Sequence, residues 1–327
     1  MAERAFDSKV LDFDCAAETQ RISEWLVETV ARMGRRGVIV AISGGVDSSV
    51  CAALAARAFG RGRVLGLLLP ERDSSSSSTR RGREVAEGAG LEYLVEDIAP
   101  TLEAIGCYRH RDAAMRALFP GYGPEWKSKI VIASSMGGKL HYFRLVVQTP
   151  EGEVREVRLP HKEYLEIVAA TNFKQRIRKT LEYFHADRLN YAVVGTPNLL
   201  EYDQGFFVKN GDGAADVKPI AHLYKTQVYA LARYLKVPEE ICTARPTTDT
   251  YSLAQGQDEF YFALPYEKMD LALWAHNHGV TAAELAPHIG LTATEAEVVY
   301  ADIKAKRRTT AYLHGGPALM EPMPTRP

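Results

Sequence analysis

Residues 37 to 69 read GVIVAI, then SGGVDSS, then VCAALAARAFG, then, after a short turn, VLGLLL. Two continuous runs of Val, Ile and Leu, too short for helices, flank a helix-forming stretch that Gly60 is placed to close. Strands with no polar alternation are buried on both faces, which is the condition of a parallel sheet covered by helices. YLV (93–95) and YAVVG (191–195) repeat the pattern in shorter form, and a helix is expected from about Arg80 to Ala89, closed by Gly90. The order strand, helix, strand, helix, strand implies right-handed crossovers, and hence an α/β fold built on a mostly parallel, Rossmann-like sheet. With 46% of its 327 residues hydrophobic, the chain has enough apolar material for such a core, read here as one domain over 1–327.

Farther on, Phe173, Ile177, Leu181 and Phe184 recur at helical spacing, so FKQRIRKTLEYF reads as an amphipathic helix. KTQVYALARYLKV is a second, ending before Pro238, and residues 266 to about 305 read as mostly helical. The stretch 139–159 breaks this rhythm: KLHYFRLVV and EVREVRL alternate apolar and polar positions around TPEG, a turn sequence. It is expected to be a β-hairpin within an insertion over 126–166. The final residues, 313–327, are rich in Pro and Gly and read as an irregular tail. SSSSS (74–78) follows a strand end and leaves two readings, a flexible linker or a mobile flap over a ligand.

A formal net charge of −1 provides no whole-chain attraction for nucleic acid or an anionic membrane. No apolar run approaches the ~20 residues that cross a bilayer, and the charged N-terminus lacks the apolar core of a signal peptide. Cys15, Cys51, Cys107 and Cys242 are scattered without CxxC or metal-ligand spacing, as free thiols in a reducing compartment would be. The location expected is cytoplasmic.

The chemistry centres on AISGGVDSSV (41–50). A turn between a parallel strand and a helix aims backbone N–H groups and the helix dipole at an anion, and Gly44 and Gly45 let the backbone close around it. Ser43, Ser48 and Ser49 add hydroxyl donors. GxxxxGK[ST] is absent, which excludes a P-loop. Asp47 would repel a bare phosphate, so its presence points to a Mg²⁺ ion between them, since Mg²⁺ is commonly held by one or two carboxylates and substrate phosphates. An Asp near a helix N-terminus also has an ordinary capping role; the strand before, the helix after and the three serines favour the phosphate site.

SGGVDSS resembles the pyrophosphate loop of the ATP pyrophosphatases, written SGGxDS, which release pyrophosphate and transfer AMP to an oxygen of the substrate. Within that superfamily, GTPNLLEYDQGFFVKNGDGAADVKPIAHLYKTQVYALARYL (195–234) is similar to the corresponding block of NAD synthetases. TNFKQRIRK upstream and RPTTD (245–249) and QDE (257–259) downstream match further elements of that family in order. The resemblance covers roughly residues 18 to 310, apart from the hairpin. It implies a two-step reaction: ATP adenylates the nicotinate carboxylate of deamido-NAD, releasing pyrophosphate, and ammonia then displaces AMP to give NAD. Carried over by position, Asp47 and Glu201 are the implied Mg²⁺ ligands. Ser43, Gly44, Gly45 and Ser48 would hold ATP phosphates, with Ser49, Lys225 and Thr247 completing that site. Arg176, Thr196, Lys209 and Asp216 would face the dinucleotide, and Asp212 the incoming ammonia. Each residue has an ordinary alternative, as a solvated helix side chain or a turn residue; standing in register together, they favour a site.

Three departures from the family pattern fall on the acceptor side. AKAKRR keeps Lys306 as a substrate contact but has Ala305 where the family often carries a ring. NLL (198–200) stands before Glu201 in place of small residues, and the hairpin has no counterpart in ordinary members. They leave room for an acceptor carboxylate other than deamido-NAD. Some 36 residues precede the first strand, too few for a glutaminase, so the expected nitrogen source is free ammonia or a separate glutaminase subunit. The resemblance also implies a homodimer.

Overall fold

The computed structural model of the chain describes residues 6–134, 141–244, 251–253, 256, 261–262 and 264–321. Thr247 and the RPTTD and QDE motifs lie outside the described residues, as does 322–327.

Asp14 caps the first helix, α1 (Cys15–Arg32), accepting from the N–H groups of Ala16 and Ala17. The apolar runs then become β1 (Val38–Ala41) and β2 (Val64–Leu68), joined by α2 (Val46–Phe59), which stops at Gly60 as expected. Helix α3 (Ser76–Gly88) leads to β3 (Glu92–Val95), and α4 (Ala99–Ala104) and α5 (Cys107–Leu118) follow. Three strands, β4 (Lys127–Ser134), β5 (His141–Gln148) and β6 (Val154–Arg158), precede the long α6 (His161–Leu189), and β7 (Ala192–Val194) completes the main sheet. The rest is helical: α7 (Leu199–Gln204), α8 (Lys225–Tyr234), α9 (Glu239–Thr243), α10 (Tyr266–Asn277), α11 (Ala282–Ile289) and α12 (Ala293–His314).

The main sheet is parallel throughout, in the order β3-β2-β1-β7. Strand alternation divides its apolar residues between two layers. Val38, Val40, Val64, Leu68 and Val194 pack under α1, α2, α3 and α8, whereas Ile39, Leu65, Leu67 and Val193 pack under α4, α5 and α6. Because the inner strands are buried on both faces, all loops of chemical interest gather at the C-terminal edge, where β1 and β2 deliver residues 42–45 and 69–75.

The expected hairpin is present in the described residues as β5 and β6, which pair antiparallel around Thr149–Glu153, with Gly152 at φ +90°. It is not a lone hairpin, because β4 pairs along the whole of β5 and makes a three-stranded sheet. One face is dry: Ile130, Leu145 and Val147 pack on Ala114 and Met115 of α5 and Ile167 of α6. Helix α6 takes the end of the expected insertion, starting at His161 behind Pro160, because nothing between His161 and Leu189 breaks it. The serine run is neither linker nor flap: Ser75 caps α3 and Ser76–Ser78 form its first turn. At the other end, α12 runs to His314, so the irregular tail begins at Gly315. Among the described residues, no helix is long and apolar enough to cross a membrane.

Candidate active site

A cavity of about 610 Å³ opens at the C-terminal edge of the main sheet, between the 42–45 loop, α6, the 195–213 segment and α8. The glycine loop forms its floor. Gly44 has φ +82°, and a Cβ there would lie 2.3 Å from Ser78 O, so both backbone conformation and contact with α3 require glycine. Ser43 and Ser48 lock the turn together: Ser43 N donates to Ser48 Oγ (3.2 Å), and Ser48 Oγ reaches Gly45 O (3.1 Å). Ser49 is held differently. One residue further round α2, it is fully buried and donates to Gly45 O at 2.7 Å, so its hydroxyl faces the core, not the cavity.

Lys225, the first residue of α8, is buried to 2% exposure with its ammonium against Asp47 Oδ2 and 3.9 Å from Glu201 Oε1. Burial alone would depress its pKa, but the Asp47 and Glu201 charges override this and hold the ammonium above its usual value. Lysine, expected on ATP phosphate, therefore sits first on the two carboxylates. Asn198 joins them from beneath. Its Nδ2 donates to Asp47 Oδ1 at 3.0 Å, while its Oδ1 accepts from Glu201 N and Glu201 Oε2 accepts from Asn198 N. The same side chain thus caps α7 in a capping box and orients both acidic residues.

Asp47 and Glu201 converge from β1–α2 and α7, 154 positions apart in sequence, with oxygens facing one cavity. Two carboxylates with room for phosphate oxygens are a donor set that suits Mg²⁺. Arg81 lines the same wall beside Gly44, and its buried Nε has no hydrogen-bond partner among the described residues. An unpaired guanidinium N–H next to a glycine turn fits an incoming phosphate oxygen.

Arg176, Thr196 and Lys209, expected at the dinucleotide, and Asp212, expected at the ammonia, line the cavity. Arg176 Nε donates to Lys209 O at 3.3 Å, and Lys209 Nζ caps the end of α12 through Tyr312 O (2.7 Å) and Gly315 O (3.0 Å). Asp212 Oδ1 accepts from Val208 N at 2.7 Å; burial raises its carboxyl above the usual carboxylate range. Two of the expected substrate contacts stand apart from these. Asp216 stands outside the cavity wall, accepting from Val193 N at 2.7 Å and so bracing β7. Lys306 is tied to Asp302 and to Tyr261 O, both at 2.6 Å, over the Tyr261 ring, and is likewise outside the wall. Burial lowers the Lys306 pKa against the pull of Asp302.

Sequence reasoning passed over a buried ionic cluster behind the cavity. Lys174 of α6 donates to Glu71 (2.8 Å) and Asp73 (2.7 Å), and Arg111 of α5 pairs with Asp73 and Asp112. Tyr108 OH donates to Glu71 at 2.8 Å and its ring carries the Arg72 guanidinium at 3.8 Å. The cluster clamps the segment after β2 against α5 and α6. Burial alone would raise the Asp73 carboxyl, but Lys174 and Arg111 hold it down at about 2.

The NAD synthase family model matches residues 18–118 and 145–310. The NH(3)-dependent NAD(+) synthetase of Rhizobium meliloti (strain 1021) is 57% identical over 319 residues, which are 97% of this chain and 96% of that protein. That of Thermotoga maritima is 37% identical over 256 residues, 78% of this chain and 85% of its own length. Among solved structures, the NH3-dependent NAD synthetase from Campylobacter jejuni superposes with a TM-score of 0.63, covering 95% of this chain and all of that one; at 22% identity it speaks for the fold alone. A match over most of the chain, carried by the segments that bring Asp47, Glu201 and Lys225 together, leaves one conclusion: the chain belongs to the NAD synthase family.

Proposed function

We propose that the protein amidates deamido-NAD: deamido-NAD, ATP and ammonia give NAD, AMP and pyrophosphate. The observation that carries this reading is the convergence of Asp47, Glu201 and Lys225 on the glycine loop in a chain of this family. In the first step a nicotinate carboxylate oxygen attacks the α-phosphorus, and the bond from that phosphorus to the pyrophosphate oxygen breaks. In the second, ammonia adds to the acyl carbon, AMP leaves with the bond electrons, and the nitrogen sheds a proton. The carboxylate is its own nucleophile, so the protein's task is alignment and charge neutralisation. The backbone N–H of Gly44, the Ser43 and Ser48 hydroxyls and the Arg81 guanidinium would receive phosphate oxygens. Asp47 and Glu201 would hold Mg²⁺, which supplies charge neutralisation on the leaving pyrophosphate when bound. Asp212, whose burial makes it a better base than an exposed carboxylate, is suited to take the proton from nitrogen. Arg176, Thr196 and Lys209 would contact the dinucleotide. Thr247 keeps the ATP-side role that the family resemblance implies, and Ser49, Asp216 and Lys306 support the site from behind it.

The test is direct. Pure protein with ATP, Mg²⁺, ammonia and deamido-NAD should yield NAD and AMP in equal amounts, and Asp47→Ala and Glu201→Ala should each lower pyrophosphate release by at least a hundredfold with the fold retained. A folded wild-type protein that makes no NAD beside a working control overturns the assignment. Part of the same proposal are a homodimer in the cytoplasm, measurable by sedimentation, and ammonia taken free or from a separate glutaminase.

A further inference from the structure

The family model passes over residues 119–144, where β4 and the start of β5 lie, yet the structure brings that segment to the cavity. Phe143 stands on the same face of β5 as Leu145 and Val147, at the end of that row. Whereas Leu145 and Val147 are fully buried, Phe143 is half-buried and forms part of the cavity wall. Its ring is stacked on Tyr164, in the first turn of α6, with centroids 4.3 Å apart and planes inclined by 13°. Tyr251 lines the cavity nearby and shares their apolar cluster.

Helix α6 supplies one side of the cavity through a continuous stripe, Tyr164, Val168, Thr171, Gln175, Arg178 and Glu182, at spacings of three and four. Arg178 donates to Leu69 O at the edge of the sheet where the glycine loop lies. Tyr164 is fourteen residues earlier, about 21 Å up the helix axis. The cavity is therefore long, with the phosphate and carboxylate chemistry at one end and a pair of parallel aromatic rings at the other.

We infer that Phe143, backed by Tyr164, is the stacking surface for the adenine ring of the dinucleotide, the flat ring farther from the carboxylate that reacts. Apolar rings left half open on a ligand cavity, with a planar face and few polar groups, suit a base that is held by stacking. The inserted sheet thus acts as a specificity element that favours a dinucleotide over its truncated relatives. This rests on the deamido-NAD reading above.

The experiment compares wild type with Phe143→Leu, which keeps bulk and loses the π-face, and with Phe143→Tyr, which keeps both. If the Leu variant does not fold, Phe143→Met replaces it, folding being judged by thermal melts. Calorimetric binding of deamido-NAD without ATP should weaken about tenfold in the Leu variant and stay unchanged in the Tyr variant. Binding of nicotinate mononucleotide, which lacks the adenylate half, should be the same in all three, as should the KM for ATP. Equal dinucleotide affinity in wild type and Leu variant overturns the inference, and so does an equal loss for both nucleotides, the mark of a structural role. The two readings fail separately: a wild type that binds the dinucleotide in this pattern but makes no NAD sinks the activity alone, while NAD formation with an unaltered Leu variant sinks the stacking alone. A wild type that binds no deamido-NAD overturns both.

Discussion

Asn198 shows how much one side chain can combine. Asn followed three residues later by Glu is a helix-start signal readable in NLLE, but its second bond, to Asp47, crosses 151 positions and has no local trace. Asn198→Ser keeps an N-cap acceptor yet is too short for Asp47, so it should cost under about 1 kcal/mol of stability while lowering the rate of pyrophosphate release roughly tenfold. Asn198→Ala should lose the rate similarly and a further ~1 kcal/mol. Thermal melts beside a pyrophosphate assay separate the two effects; a Ser variant with full activity removes Asn198 from the site. SGGVDSS was legible because it is contiguous: strand, glycines, acid and hydroxyls stand within ten residues. The direction of the Ser49 hydroxyl was not legible, because a motif does not state which way a helix is turned, and one step of about 100° aims it at Gly45 O.

At the scale of elements, Asp270 of α10 holds the start of α8. Its Oδ2 accepts from Thr226 N at 2.7 Å, next to Lys225, and it is fully buried. Burial raises its pKa to about 7 even against those backbone bonds. A folded-state pKa above the unfolded value of about 4 means the associated stability is complete below pH 4 and is lost as pH rises through 7. The melting temperature should therefore fall between about pH 4 and 7 and level off above that, and Asp270→Asn, neutral throughout, should flatten that fall. Parallel slopes for the two proteins would exclude the residue. The strands and helices of the main sheet were readable from apolar runs and caps. β4 was not, since IVI inside KSKIVIAS shows too little alternation and it is defined by pairing with β5. α12 was read too short because polar KRRTT continues a helix as well as it ends one.

Across the whole molecule, the cluster of Lys174, Glu71, Asp73 and Arg111 ties the segment after β2 to α5 and α6, and so fixes one wall of the cavity relative to the other. Lys174→Met would strand buried carboxylates and should cost about 3–5 kcal/mol in denaturant unfolding; a loss under 1 kcal/mol would show that the cluster is a bystander. Asp73, held at about 2, contributes stability that is complete above its unfolded pKa near 4 and disappears as pH falls toward 2. Acid unfolding of the wild type should therefore steepen in that window. Glu71 and Asp73 in ERDSS carry no local sign of burial, because nothing near them in sequence announces partners about a hundred residues away. The same limit runs through the protein. Local physics, in which apolar runs, glycines and caps act over a few residues, was sufficient to define the parallel sheet, the phosphate loop and the family. Which side of α6 meets the cavity, where Lys306 and Asp216 finally stand, that a third strand, β4, joins the hairpin, and that Phe143 of β5 reaches the cavity wall depend on contacts distant in sequence. Those were decided when the helices packed, because burial and pairing energies are shared between segments and belong to neither one alone.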